Sequence, residues 1–238
     1  MIDLDKLEDD LIGISNCDPG KLPFLTGYSP EHRQFGLDMP STALSMIGKH
    51  RMHQLRMAVE TVLAEDIPGD LIETGVWRGG ACLMMRKVLE AHGDTKRKVY
   101  IADSFIGLPK PDPRYKADQR VDPICDLNYA LAISLEEVQN QFEPNDPQVI
   151  FVKGWFKDTL PLLDTQFSLI RLDGDMYEST MNALDGLYHK LSPGGFVIID
   201  DYYCLPECKL AVEDFRTAHG ITTLVINIDG SGAYWRKQ

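Results

Sequence analysis

From residue 70 onward, short runs of β-forming residues alternate with stretches of helical length, and this alternation restricts the fold more than any other feature of the chain. The runs are DLIET (70–74), KVYIAD (98–103), QVIFVKG (148–154), SLIRLDGD (168–175) and GGFVIIDD (194–201), each ending in polar residues. Helices fit the stretch from the glycines at 79–80 to about Ala91, and segments 133–142, 178–191 and 206–219. Strands separated by helices of about 10–15 residues form a parallel sheet covered on both faces. The tail TTLVINIDGSGAYWRKQ reads as two more strands joined through Asp229-Gly230, a hairpin signal. The expectation is an α/β, doubly wound, seven-stranded and mostly parallel sheet with an antiparallel C-terminal hairpin, in one domain spanning 41–238.

Residues 1–40 read as a polar arm punctuated by Pro and Gly, with at most a short helix in the first dozen residues. Segment 41–66 carries Leu44, Ile47, Leu55, Ala58, Val59 and Val62 at helical spacing, with Ser41 as its expected cap. Ser134 and Glu137 form a capping box for the helix at 133–142. The proline-rich stretch 108–125 is too long for a routine connection, so it and the arm are expected to act as a lid.

Composition removes several functions. With 24 basic and 36 acidic residues the net charge is −12, which disfavours nucleic acid and anionic membranes as partners. No apolar stretch is long enough to span a bilayer. The opening MIDLDKLEDD is unlike a secretory signal, and five scattered cysteines fit reduced thiols of the cytoplasm. Cys204 and Cys208 lack partners at zinc spacing, and no P-loop, G-x-S-x-G or clustered-histidine motif is present. A small-molecule partner fits; a homodimer is allowed and not required.

The chemistry concentrates at the strand ends. In a doubly wound sheet, ligands collect beyond the carboxyl ends of the strands. The first strand delivers Glu73, Thr74, Gly75, Val76, Trp77 and Gly79 into a glycine-rich turn that opens a helix. The spacing is not the full dinucleotide pattern, and an acid before the turn suits the amino group and ribose of S-adenosylmethionine better than a pyrophosphate. Asp103, followed by Ser104, ends the second strand where an acid typically bonds ribose hydroxyls. Trp155 and Phe156 follow the third strand and offer a surface for adenine, or else fill the core. Asp173 and Asp175 close the fourth strand and Asp200 and Asp201 the fifth, so four carboxylates meet at one rim. Such a set repels itself unless a cation is present, and an all-oxygen set from Asp173, Asp200 and Asp201 suits Mg2+.

These stretches, together with SMIGKHRMHQL, VKGWFKDTLP and GAYWRK, resemble the macrocin O-methyltransferase family from about residue 36 to the C-terminus. The resemblance implies a class I S-adenosylmethionine-dependent methyltransferase fold and Mg2+-dependent methylation of a sugar hydroxyl on an antibiotic-like glycoside. It places Glu73 through Gly79 at the methionine side of the cofactor, Asp103 at the ribose and Trp155-Phe156 at the adenine. It makes Asp173, Asp200 and Asp201 metal ligands and matches Asp175 to a carboxylate proposed as general base. The first 35 residues depart most from the family, which leaves the acceptor open. A metal-dependent catechol or phenolic O-methyltransferase is the main enzymatic alternative. An NAD-binding reductase is disfavoured by the imperfect glycine pattern, and a non-catalytic scaffold by the rim carboxylates.

Overall fold

The computed structural model describes residues 2–21, 24–120 and 127–238. Seven strands form one sheet among these residues: β1 (Asp70–Thr74), β2 (Val99–Asp103), β3 (Val149–Lys153), β4 (Phe167–Leu172), β5 (Leu191–Ile199), β6 (Ile226–Asn227) and β7 (Ala233–Arg236). Their order is β3-β2-β1-β4-β5-β7-β6, parallel through β5 and antiparallel at β7 and β6. The order reverses between β1 and β4, where the two chain directions of winding part and leave a crevice above the strand ends. The expected hairpin forms, with Asp229 and Gly230 in a loop closed by the Ile228 N–H donating to the Gly232 carbonyl at 3.0 Å.

Alternation along the strands sorts the core into two halves. Leu71, Leu169 and Phe196 face one side and pack with α3 (Gly48–Ala64) and α4 (Gly80–Ala91), joined there by α1 (Leu4–Leu11). Ile72, Ile170 and Val197 face the other side and pack with α6 (Tyr177–Leu187) and α7 (Pro206–Ala218). Two other helices are α2 (Pro30–Phe35) and α5 (Leu135–Gln139), and single helical turns lie at Asn128–Leu131 and Phe156–Thr159; α5 opens with the capping box of Ser134 and Glu137. Glu73 pairs in register with Arg171 on β4, so both side chains rise on the α3/α4 face at the switch point.

The helix expected over 41–66 begins later, at Gly48, and Ser41 does not cap it. The reason is that the backbone before Gly48 is bonded elsewhere. One Asp18 carboxylate oxygen accepts from the Thr42 and Ala43 N–H groups at 2.8 Å each, the Ser45 N–H donates to Leu11, and Gly80 donates to the Leu44 carbonyl. Ser41 instead donates its hydroxyl to the Pro19 carbonyl at 2.8 Å.

The arm is folded against the domain. Buried Arg33 donates to both oxygens of Asp38, at 3.0 and 2.7 Å, and to the carbonyls of Ile12 and Asp18. Glu8, also buried, faces Lys49, His53 and Arg56 of α3. Of the expected lid at 108–125, residues 121–125 lie outside the described part. Among the described residues no helix is long and apolar enough to cross a membrane.

Candidate active site

A cavity of about 790 Å³ opens above the strand ends, walled on one side by residues of the arm and α3 and on the other by the β2, β3 and β4 loops. Glu73, Gly75, Val76, Trp77, Asp103, Ser104, Trp155, Phe156, Asp173, Asp175, Asp200 and Asp201 all line it. Thr74 and Gly79 do not. Thr74 is buried in β1, and Gly79 caps α4 in the left-handed region, where a Cβ would meet Val138 at 2.9 Å.

The glycine turn has a steric origin. Gly75 has φ +81°, and a Cβ there would lie 1.7 Å from the Asp173 carbonyl oxygen. Only a bare backbone lets the end of β1 pass the end of β4 this closely. Arg78 stacks over the Trp77 ring at 4.1 Å and donates to the Ala43 carbonyl at 2.7 Å, tying the turn to the segment before α3.

Asp103 is held in place by the turn it faces. One carboxylate oxygen accepts from the Val76 N–H at 2.8 Å and the other from the Phe105 N–H at 2.7 Å. Burial raises its pKa against those bonds. Phe156 covers the next loop: a Cβ on Gly174 would come within 3.2 Å of its ring. The aromatic pair therefore adjoins the D-G-D segment, with Trp155 and Phe156 both partly exposed to the cavity.

The four rim acids separate into two groups. Asp173, Asp175 and Asp201 present oxygens that all lie within 4.8 Å of one another. Asp200 belongs to a second network: one of its oxygens accepts from Arg171 and the other from Arg51. The set expected from sequence, Asp173 with Asp200 and Asp201, is therefore not the set of carboxylates that converge here. The backbone explains the difference. Asp175 takes φ +57°, left-handed for a residue with a Cβ, which turns the chain after Gly174 and brings its carboxylate back beside Asp173 and Asp201.

Burial and mutual repulsion raise all three converging acids. Asp173 and Asp201 are held well above the usual carboxylate range, first by burial and then by neighbouring carboxylates, and Asp175 is pushed up to about 7. The Oδ2 of Asp201 is shielded from solvent and has no hydrogen-bond partner among the described residues. An orphaned carboxylate oxygen facing two other carboxylates fits a hard divalent cation bound through oxygen.

Two arginines that no motif singles out complete the site. Arg171 is 1% exposed and bonds Glu73, Asp173 (3.0 Å) and Asp200; Arg51 bonds Asp200, Asp229 (3.0 Å) and the Phe35 carbonyl (3.2 Å). The signal for Arg171 was available, because a guanidinium inside the apolar run SLIRL cannot stay unpaired in a buried strand. Arg51 carried no such mark, since it lies in an ordinary amphipathic helix.

A seven-stranded sheet of this order with an acidic crevice at the switch point defines a class I methyltransferase fold. The chain matches the macrocin-O-methyltransferase (TylF) family over residues 21–237 and belongs to it. It is an O-methyltransferase. It is 51% identical over 208 residues to the 8-demethyl-8-(2,3-dimethoxy-alpha-L-rhamnosyl)-tetracenomycin-C 4'-O-methyltransferase of Streptomyces olivaceus, covering 86% of this chain and 79% of that one. It is 44% identical over 217 residues to the mycinamicin III 3''-O-methyltransferase of Micromonospora griseorubida, covering 88% and 85%. The structure of the O-methyltransferase NovP superposes with a TM-score of 0.95 at 43% identity, covering 99% of this chain and 98% of that one.

Proposed function

We propose that the protein methylates a hydroxyl of a sugar carried by a small natural product of the antibiotic class, using S-adenosylmethionine and Mg2+. The observation that carries this reading is the convergence of Asp173, Asp175 and Asp201, with one oxygen orphaned, at the floor of a cavity that Asp103 and the β1 turn also line. The named substrates of the relatives from Streptomyces olivaceus and Micromonospora griseorubida support the acceptor class.

When bound, the two groups would supply an electrophilic methyl and a Lewis acid that lowers the pKa of an alcohol. The chain's own residues divide the rest. The turn from Glu73 through Trp77 would hold the methionine end of the cofactor, and Asp103, fixed by two backbone N–H groups, would accept from ribose hydroxyls. Ser104 lines the same wall, and Trp155 and Phe156 give the adenine an apolar face. Asp173 and Asp201 would hold Mg2+, and Asp200 would join them by exchanging a guanidinium partner. Asp175 would take the acceptor's hydroxyl proton as its oxygen bonds the methyl carbon and the sulfur departs with the electron pair of the broken S–C bond. The arm and residues 108–120 would close over the acceptor, keeping water away from the reacting atoms.

Incubation with S-adenosylmethionine, Mg2+ and a panel of glycosides bearing vicinal hydroxyls tests the proposal. The expected product carries one added CH2 by mass, on the sugar, and EDTA abolishes its formation. Methylation of catechols with no glycoside turnover would overturn the acceptor class, and full activity after chelation would overturn the metal.

A further inference from the structure

Helix α6 starts two residues after Asp175 and has no local cap: Met176 at the N-cap makes no side-chain capping bond. The cap comes from far away in sequence. Asp118, fully buried, accepts from the Tyr177 N–H at 2.6 Å and from the Glu178 N–H at 2.9 Å, across 59 and 60 residues. These bonds hold the chain just beyond the left-handed turn at Asp175, so they set where that turn is anchored.

Asp118 belongs to the cavity wall segment. Lys110, Asp112 and Pro113 line the cavity, and a series of short bonds runs from them to the cap. The Tyr115 N–H donates to the Asp112 carbonyl at 2.9 Å, and the Asp118 N–H donates to the Tyr115 carbonyl at 3.1 Å. The Gln119 side-chain amide donates to the Asp112 carbonyl at 3.0 Å, and the Tyr115 ring lies 5.7 Å from that of Tyr177. The wall and the start of α6 are thereby one mechanical unit.

We propose that Asp118 is a positioning residue: it holds the backbone following Asp175, so that docking of the 110–118 wall and placement of the Asp175 carboxylate occur together. The inference rests on Asp175 acting as the base. A carboxylate cap on two N–H groups suits this task because it fixes both at once at the positive end of the helix.

The test compares Asp118→Ala, Asp118→Asn, Asp175→Asn and the Asp118→Ala/Asp175→Asn double variant, all as the full chain. Expected for Asp118→Ala is a fall in kcat of about 10–100-fold, the scale of a small misplacement of a reacting group, with calorimetric affinity for S-adenosylmethionine nearly unchanged. Asp118→Asn keeps one acceptor oxygen and should recover much of the loss; it carries the comparison if the alanine variant does not fold. In the Asp175→Asn background, removing Asp118 should cost little further, because both changes disable the same group. Unchanged kcat in Asp118→Ala, full additivity in the double variant, or loss of cofactor affinity in proportion to kcat would each overturn the proposal. Near-normal turnover of Asp175→Asn alone would instead overturn the base assignment on which it rests.

Discussion

Arg171 and Asp173 stand two residues apart at the end of β4, and the Arg171 Nη1 donates to the Asp173 carboxylate at 3.0 Å while also bonding Glu73. One buried guanidinium thus connects the turn that faces the cofactor with the carboxylates at the cavity floor. It pairs Glu73 and Asp200, and it touches Asp173 at the edge of the cluster that Asp173 forms with Asp175 and Asp201.

Replacing Arg171 by Met should be strongly destabilising. It would strand Glu73 as a buried charge and leave Asp200 with Arg51 alone, and removing one partner of a buried pair costs about 3–5 kcal/mol. Urea unfolding monitored by circular dichroism measures this. A loss below about 1 kcal/mol would show that water reaches these carboxylates.

Asp103→Ala should weaken cofactor binding by on the order of 1–3 kcal/mol, the worth of hydrogen bonds from a charged acceptor. Calorimetry with S-adenosylmethionine and its demethylated product reads this directly. Unaltered affinity, or NAD binding in place of both, would remove Asp103 from the ribose.

Asp173→Asn and Asp175→Asn should fail differently. The first is expected to lose Mg2+ affinity and turnover together. The second should keep cofactor binding and lose a rate factor of about 10²–10⁴, partly regained at high pH. Equal loss of Mg2+ affinity in both would make Asp175 a ligand instead, a role its place among the converging oxygens also permits.

The same carboxylates make a pH prediction. Burial, then the charge of Asp173, pushes Asp175 up to about 7, and Asp173 and Asp201 are also held well above the usual carboxylate range. The folded protein then holds protons that the unfolded chain has released, so these groups make cation-free stability fall as pH rises from the ordinary carboxylate range through about 7. Mg2+ should offset this and release protons on binding, so its affinity and the stabilisation it confers should grow across that window. Thermal melts with EDTA or with Mg2+, at about pH 5.5 and about pH 8, check both signs. A cation-free melting temperature that rises with pH, or an equal Mg2+ shift at the two ends, would count against the cluster as a metal site.

The sheet and the chemical types at its rim are legible in the sequence. Strand runs such as VYIAD and FVIID are apolar on both faces because helices cover both sides of a parallel sheet. Their terminal acids therefore stand out against the runs they end. Glu73, Asp103 and the two aspartate pairs were legible for that reason. Which acid meets which partner is set by packing alone. Asp200 and Asp201 are adjacent, chemically alike and both just past the end of β5, yet their side chains part: Asp200 meets Arg51 and Arg171, and Asp201 meets Asp173 and Asp175. Ser41 lost its helix to Asp18, and α6 gained its cap from Asp118, because a buried backbone N–H takes whichever acceptor the packed chain brings within reach. Those choices depend on contacts between segments tens of residues apart, and local spacing in the sequence does not encode them.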